Sequence, residues 1–253
     1  MSKTVRFLNI PIRNITAEEL LEQLDSGVLV TPNLDHLVKL QTDKEFYAAY
    51  RDAEWVVCDS RILRQCSRLL PESLTEAIPG SSFFTSYYKY HSNDPDCRIF
   101  LLGAAPGVGE KAMANINKSV GRKIVVGSYS PPYGFESDAA ECQRVVDIVN
   151  ASGANVVLVG LGAPKQEKWI HRFRHQMPGV KLWMALGATI DFEAGNIKRA
   201  PRWVQKLCME WFYRFLKEPR RMFGRYFVDD PAFFYHFTRQ LLGIYRDPFS
   251  GRD

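Results

Sequence analysis

Short apolar runs rich in β-branched residues alternate with amphipathic stretches along most of the chain. Runs at 5–10, 28–30, 54–58, 98–102, 124–126, 155–159 and 182–186 read as strands, many of them continuously apolar, as in a sheet covered on both faces. The stretches between them carry helix starts. Thr16-Ala-Glu-Glu19 is a capping box, and Pro106 and Pro164 stand where a first helical turn would begin. This β-α-β rhythm predicts an α/β fold: a Rossmann-like, mostly parallel sheet with helices on both faces. No internal repeat, low-complexity tract or long linker interrupts it before residue 196.

After Gly195 the period changes. Trp203, Val204, Leu207, Cys208, Trp211, Phe212, Phe215 and Leu216 recur at helical spacing, and no strand-like run follows. Asp230-Pro231 can cap and start a last helix, whose apolar face would be Phe233, Phe234, Phe237, Leu241 and Leu242. The pattern therefore divides the chain into a Rossmann-like domain, 1–195, and a helical appendage, 196–253.

Composition sharpens this division. The chain has 253 residues, 46% of them apolar, enough for one sizeable core. Its net charge of +5 is unevenly spread. Residues 198–253 hold 12 Lys and Arg against 6 Asp and Glu, leaving 21 basic and 22 acidic residues in the rest. The same segment holds 14 of the 32 aromatic residues, a combination suited to a surface-seeking role. Five widely spread cysteines without a C-x-x-C pair argue against a disulfide framework or a zinc cluster and predict a reducing compartment. The N-terminus lacks the apolar core of a signal peptide, and no run approaches the length of a membrane span, so any membrane contact is expected to be peripheral.

In open parallel sheets ligands bind beyond the carboxyl ends of the strands, so the residues following each strand are the candidates for chemistry. Asp59 follows the apolar run 55–58, whose burial could hold a carboxylate partly out of water as a general base; it could equally cap a helix beginning near Ser60. Thr31 and Asn33 could hydrogen-bond a sugar, or Thr-Pro-Asn could be an ordinary strand-to-helix turn. In Gly160-Leu-Gly162-Ala-Pro-Lys165-Gln166-Glu167 the glycines permit close backbone approach. A helix N-terminus with Lys165 beside it suits a diphosphate, although a helix start needing small residues would look the same. Gly103 to Gly109 also follows a strand but lacks the G-x-G-x-x-G register, and Gly80 after Pro79 is most simply a turn residue.

Metal chemistry has little to stand on. Asp94-Pro-Asp96 reads more readily as a polar loop than as a cation site, and the five histidines form no H-E-x-x-H array. The appendage interleaves Lys198, Arg199, Arg202, Lys206, Arg214, Lys217, Arg220, Arg221, Arg225 and Arg239 with aromatic rings. Such a surface suits an anionic membrane, where each cation near the headgroups contributes about 1 kcal/mol. Nucleic acid could use the same charges.

Taken together, several segments resemble one family, the bacterial glycosyltransferases of the WecG/TagA/CpsF type. The matching stretches are Val30-Thr-Pro-Asn33, Asp59, Pro79-Gly80, Leu102-Gly103 with Pro106-Gly-Val108, and the block from Val159 to Trp169 around Gly-Ala-Pro-Lys-Gln-Glu-Lys-Trp. Further matches are Gly187, Asp191-Phe192, Ala194-Gly195, Lys198-Arg-Ala-Pro201, Glu210-Trp211, Tyr213-Arg214 and Glu218-Pro-Arg-Arg221, so the resemblance runs from about Thr16 to Tyr226. It implies an inverting, metal-independent and cofactor-free transfer of a hexose from a UDP-sugar donor to a polyprenyl-diphosphate-linked saccharide. The setting would be the cytoplasmic face of the bacterial inner membrane, in surface polysaccharide synthesis, with the protein held peripherally on an anionic membrane surface.

Carried over by motif, Asp59 is the general base, with Thr31 and Gln166 beside it in catalysis and Asn33 contacting substrate. Gly103, Gly160, Gly162, Lys165, Glu167 and Asp191 line the substrate site, and Arg214, Arg220, Arg221 and Arg225 of the appendage help complete it. The resemblance carries no nucleic-acid partner and leaves homo-oligomerisation open. The chain departs from the family pattern in having Ser60 after the catalytic Asp, where Gly is usual, and Ala77 near the position of a usual Arg; Arg61 is the nearby charge that could replace it. These departures leave the donor open between UDP-N-acetylmannosamine, UDP-glucose and another UDP-hexose. The competing classes are a nicotinamide-dependent oxidoreductase, from the Rossmann-like rhythm, and a nucleic-acid-binding module, from the basic appendage.

Overall fold

A computed structural model describes residues 3–197 and 230–250 of the chain. The first apolar run does not join the parallel sheet as a single strand. Leu8 takes a left-handed φ of 52°, and the chain turns back into a hairpin of β1 (Thr4–Phe7) and β2 (Ile10–Arg13), with Phe7 opposite Ile10. Val5, Phe7, Leu8, Ile10 and Ile12 are all buried, so the apolar run is satisfied by packing the hairpin against helices. One parallel bridge, Arg13 to Val57, ties it to the sheet edge.

The sheet itself is six-stranded and parallel throughout. Its strands are β3 (Gly27–Val30), β4 (Trp55–Val56), β5 (Ile99–Gly103), β6 (Val125–Tyr129), β7 (Val156–Gly160) and β8 (Leu182–Ala185), in the order β4-β3-β8-β7-β5-β6. Side chains alternate between the two faces, and both faces are apolar. Val28, Val30, Phe100, Leu102, Val157, Val159, Trp183 and Ala185 belong to one core, while Leu29, Ile99, Leu101, Val156, Leu158, Leu182 and Met184 belong to the other. That is why the central runs show no polar alternation in the sequence.

The first core is covered by α2 (Leu34–Lys39), α3 (Lys44–Arg51), α4 (Arg61–Cys66), α7 (Ala139–Ser152) and α8 (Lys165–Phe173). The second is covered by α1 (Ala17–Gln23), α5 (Gly80–Tyr90), α6 (Val108–Val120) and α9 (Thr189–Glu193). The expected capping box starts α1: Thr16 accepts the Glu19 N–H at 3.2 Å, and Glu19 accepts the Thr16 N–H at 2.8 Å. Because β7 sends its helix to one face while its neighbours β5 and β8 send theirs to the other, the β7 carboxyl end is flanked by topological switch points, the places where open parallel sheets bind ligands.

The last described helix, α10 (Asp230–Leu241), returns to the first core. Phe233 and Phe237 are buried there, with Phe237 stacked at 5.7 Å on Phe7 of the hairpin. Gln240 locks the contact by accepting the Leu8 N–H at 2.8 Å and donating to the Arg6 carbonyl at 2.7 Å. The expected five-residue apolar face is therefore split: Phe234 is 47% exposed and Leu242 67%, with Leu241 also facing out. The aromatic stripe 203–216 and the cations Arg214, Arg220, Arg221 and Arg225 lie outside the described residues. Among the described residues no helix is long and apolar enough to cross a membrane.

Candidate active site

The carboxyl ends of five neighbouring strands form a row of loops. In spatial order they carry Asp59 (after β4), Thr31 to Asn33 (after β3), Gly187 (after β8), Gly160 to Gly162 (after β7) and Gly103 (ending β5). With four strand spacings between β4 and β5, the row is about 19 Å long.

Asp59 sits at one end of this row, half-buried. Its backbone N–H donates to the Pro32 carbonyl at 3.2 Å, which fastens it to the Thr31–Asn33 loop. Its carboxylate does not cap the helix that follows: Ser60 is the N-cap of α4, accepting the Leu63 N–H at 3.3 Å. Asp59 Oδ1 instead accepts the Gly80 N–H at 3.0 Å. Gly80 is no turn residue but the first residue of α5, and Pro79 before it offers no side-chain acceptor, so Asp59 supplies the cap from across the fold. A Cβ on Gly80 would lie 2.9 Å from Leu186 Cδ2, so the start of α5 packs closely on Leu186. Cys58, directly before Asp59, is no competing nucleophile, because burial pushes its thiol up to about 12.

Thr31 is buried at the end of β3, and Asn33 is the N-cap of α2, accepting the His36 N–H at 3.2 Å. The turn reading of Thr-Pro-Asn is thus correct as structure, and the turn is joined to Asp59 through the Pro32 carbonyl. Below them His36 Nδ1 pairs with the Tyr50 hydroxyl at 2.7 Å, and Asp35 with Lys39 at 2.8 Å.

At the other end the glycines act by close approach. A Cβ on Gly103 would lie 2.7 Å from the Gly160 carbonyl oxygen, and one on Gly160 would lie 2.8 Å from the Gly187 carbonyl oxygen. Gly162 has φ +80° and nothing within contact of its Cβ position, so its need for glycine is conformational. Gln166 is 2% exposed. Its Oε1 accepts the N–H groups of Gly162 at 3.2 Å and Gly187 at 3.1 Å, bracing the β7–α8 loop against the β8–α9 loop.

Glu167, read from the sequence as a site-lining residue, is buried at 2% exposure on the inner face of α8 with Trp169 and Ile170. Its Oε1 accepts the Gln166 Nε2–H at 2.9 Å, and its Oε2 has no hydrogen-bond partner. Burial pushes its carboxyl up to about 7. Lys165 is turned toward the β6–α7 loop, where it pairs with Glu136 and lies 4.5 Å from the centre of the Tyr133 ring. The Glu136 hydrogen bond raises its ammonium pKa. The sequence reading did not name Glu136, and it named Gly187 as a family match without its link to Gln166, which runs through a backbone N–H. Asp191 lies in α9, its carbonyl accepting the Asn196 and Ile197 N–H groups where the first described stretch ends.

The Asp94 loop is a brace: Asp94 Oδ1 accepts the Asp96 N–H at 3.0 Å, and Arg122 gathers the carbonyls of His91, Ser92 and Asp94. Among the described residues no three His, Cys, Asp or Glu side chains are grouped to hold a metal ion.

Residues 5–247 match the sequence profile described as the glycosyl transferase WecG/TagA/CpsF family. A protein of Bacillus spizizenii, named N-acetylglucosaminyldiphosphoundecaprenol N-acetyl-beta-D-mannosaminyltransferase, is 30% identical over 201 residues, covering 79% of this chain and 75% of its own length.

Proposed function

Because the chain belongs to the WecG/TagA/CpsF family of glycosyl transferases, we propose that it moves a hexose from a UDP-sugar to a polyprenyl-diphosphate-linked sugar, with Asp59 as general base. The acceptor hydroxyl lies near Asp59, Thr31 and Asn33, and gives its proton to Asp59 as its oxygen attacks the anomeric carbon opposite UDP. The configuration inverts. The nucleotide occupies the crevices flanking β7, where backbone approaches closely at Gly103, Gly160 and Gly187.

The observation that carries this reading is the placement of Asp59. It is a half-buried carboxylate oriented by a backbone donor, on the loop row where parallel sheets bind ligands, and one hydrogen bond from the Thr31–Asn33 turn. Charge building on the departing diphosphate meets the positive end of the α8 dipole and the appendage arginines Arg214, Arg220, Arg221 and Arg225. Those fixed charges make a divalent ion unnecessary. Lys165 takes a smaller part than its position in the motif suggests, since Glu136 already matches its charge.

Peripheral docking on an anionic membrane surface at the cytoplasmic face brings this site to its lipid-linked acceptor. The outward side of α10, with Phe234 and Leu241, and the exposed Leu242 and Ile244 after it, supports that placement, as do the cations of the appendage. The relative's name makes UDP-N-acetylmannosamine the first donor to try. The test is a screen of UDP-hexoses in EDTA with a short-chain lipid-diphosphate sugar as acceptor. Transfer from one of them is the expected result; transfer from none, or only after manganese is restored, contradicts it.

A further inference from the structure

Glu167 is the most deeply buried carboxyl group near the site, and the mechanism above gives it no chemical task. An acidic side chain costs stability in such a place, where an apolar one of similar volume would pack at no desolvation penalty. Its surroundings offer little in return. Val28 and Val30 of β3, Ala49 of α3 and Ile170 of α8 line the space beside it; Asp52, His171 and Arg174 line it too, but they bond to one another and to Glu54 rather than to Glu167, and Oε2 has no hydrogen-bond partner. The side-chain donor it meets is the informative one, Gln166 Nε2 at 2.9 Å.

The carboxamide of Gln166 is useful to the site in only one orientation. With Oε1 toward Gly162 and Gly187 it accepts two backbone N–H groups; turned over, its NH₂ would face two donors. An acceptor on the Nε2 side selects the working orientation, and Glu167 Oε1 is that acceptor. We infer that Glu167 is a positioning residue for the transfer reaction: its carboxyl group orients the Gln166 carboxamide, and through it holds the β7–α8 and β8–α9 loops at the spacing the donor nucleotide requires. The link to the nucleotide rests on the proposed function, whereas the link to the loops does not.

Three variants separate positioning from simple filling of space. Glu167→Gln keeps an acceptor oxygen, Glu167→Leu keeps the volume without one, and Glu167→Ala removes both. Amide hydrogen exchange of the free protein at residues 160–163 and 187–188 reads the loops, and calorimetric titration with UDP reads the site. Positioning predicts that the Gln variant matches wild type in both measurements, while the Leu and Ala variants exchange those amides at least about tenfold faster, a loss of about 1.4 kcal/mol of local protection, and bind UDP more weakly. Wild-type protection in the Leu variant overturns the inference, and should the Ala variant fail to fold, the Gln and Leu pair still decides it. If wild-type protein does not bind UDP at all, the proposed donor is wrong, and the exchange data alone judge the role of Glu167.

Discussion

Asp59 Oδ1 accepts the backbone N–H of Gly80 at 3.0 Å, so the proposed base is also the cap of a helix that begins 21 residues later in the chain. The two roles can be separated by chemistry. Asn retains an oxygen acceptor for Gly80 but is no base, whereas Ala removes both functions.

Stability should therefore distinguish the two substitutions. Asp59→Ala leaves the first N–H of α5 without its acceptor and should cost about 0.5–2 kcal/mol in urea denaturation, while Asp59→Asn should stay close to wild type. Equal destabilisation by both would mean that the carboxylate charge, not the cap, is what the fold uses.

The brace at Gln166 should be more sensitive. Gln166→Leu orphans the Gly162 and Gly187 N–H groups and removes the side-chain donor of the Glu167 carboxyl, each buried group left unpaired costing about 1–3 kcal/mol. A shift in the urea midpoint with unchanged slope is the expected readout. An unshifted midpoint would mean that these loops are held by other contacts.

Glu167 gives a pH dependence with a definite sign. Its carboxyl titrates from 4.5 in the ordinary state and at about 7 in the fold, because burial disfavours the charge. Between those values the unfolded chain has released a proton that the folded chain still holds. This contribution to stability is fully present at lower pH and declines across the window, at up to about 1.4 kcal/mol per pH unit. In Glu167→Gln the decline should vanish. Urea melts at about pH 5 and about pH 7 would show it, and an unchanged slope in the variant would assign the titration to another group.

The C-terminal helix should prove part of the core rather than a detachable tail. Phe237 is 3% exposed and stacks on Phe7, so Phe237→Ala should cost about 3–5 kcal/mol. Phe234→Ala, on the outward side, should change stability by no more than about 0.5 kcal/mol yet weaken sedimentation with anionic vesicles. A large stability loss in the second variant would remove Phe234 from the proposed docking surface.

Much of this fold is written in local pattern. Runs such as 98–102 and 155–159 are apolar at every position because each faces a covered core on both sides, and they became β5 and β7 within a residue or so. The run 5–10 reads as one strand but folds as a hairpin, because its burial is real while its backbone turns at Leu8, and apolar residues on both sides of a tight turn look like one strand. The site was legible in its loops and less so in its contacts. Gly80 and Gly187 serve through backbone N–H groups, which no side-chain pattern announces, and their partners lie 21 positions away in each case. Glu167 did leave a trace: it falls three residues before Ile170, on the side of α8 that packs inward, where an acidic residue is more naturally buried than presented to ligand.

The most direct measurement of the central claim is turnover of Asp59→Asn with the UDP-hexose found by donor screening and a lipid-diphosphate sugar acceptor, alongside UDP affinity by calorimetry. If Asp59 takes the acceptor proton, turnover falls by about 10² to 10⁴ while UDP affinity and stability hold. Wild-type turnover in this variant would contradict the account and assign the base elsewhere.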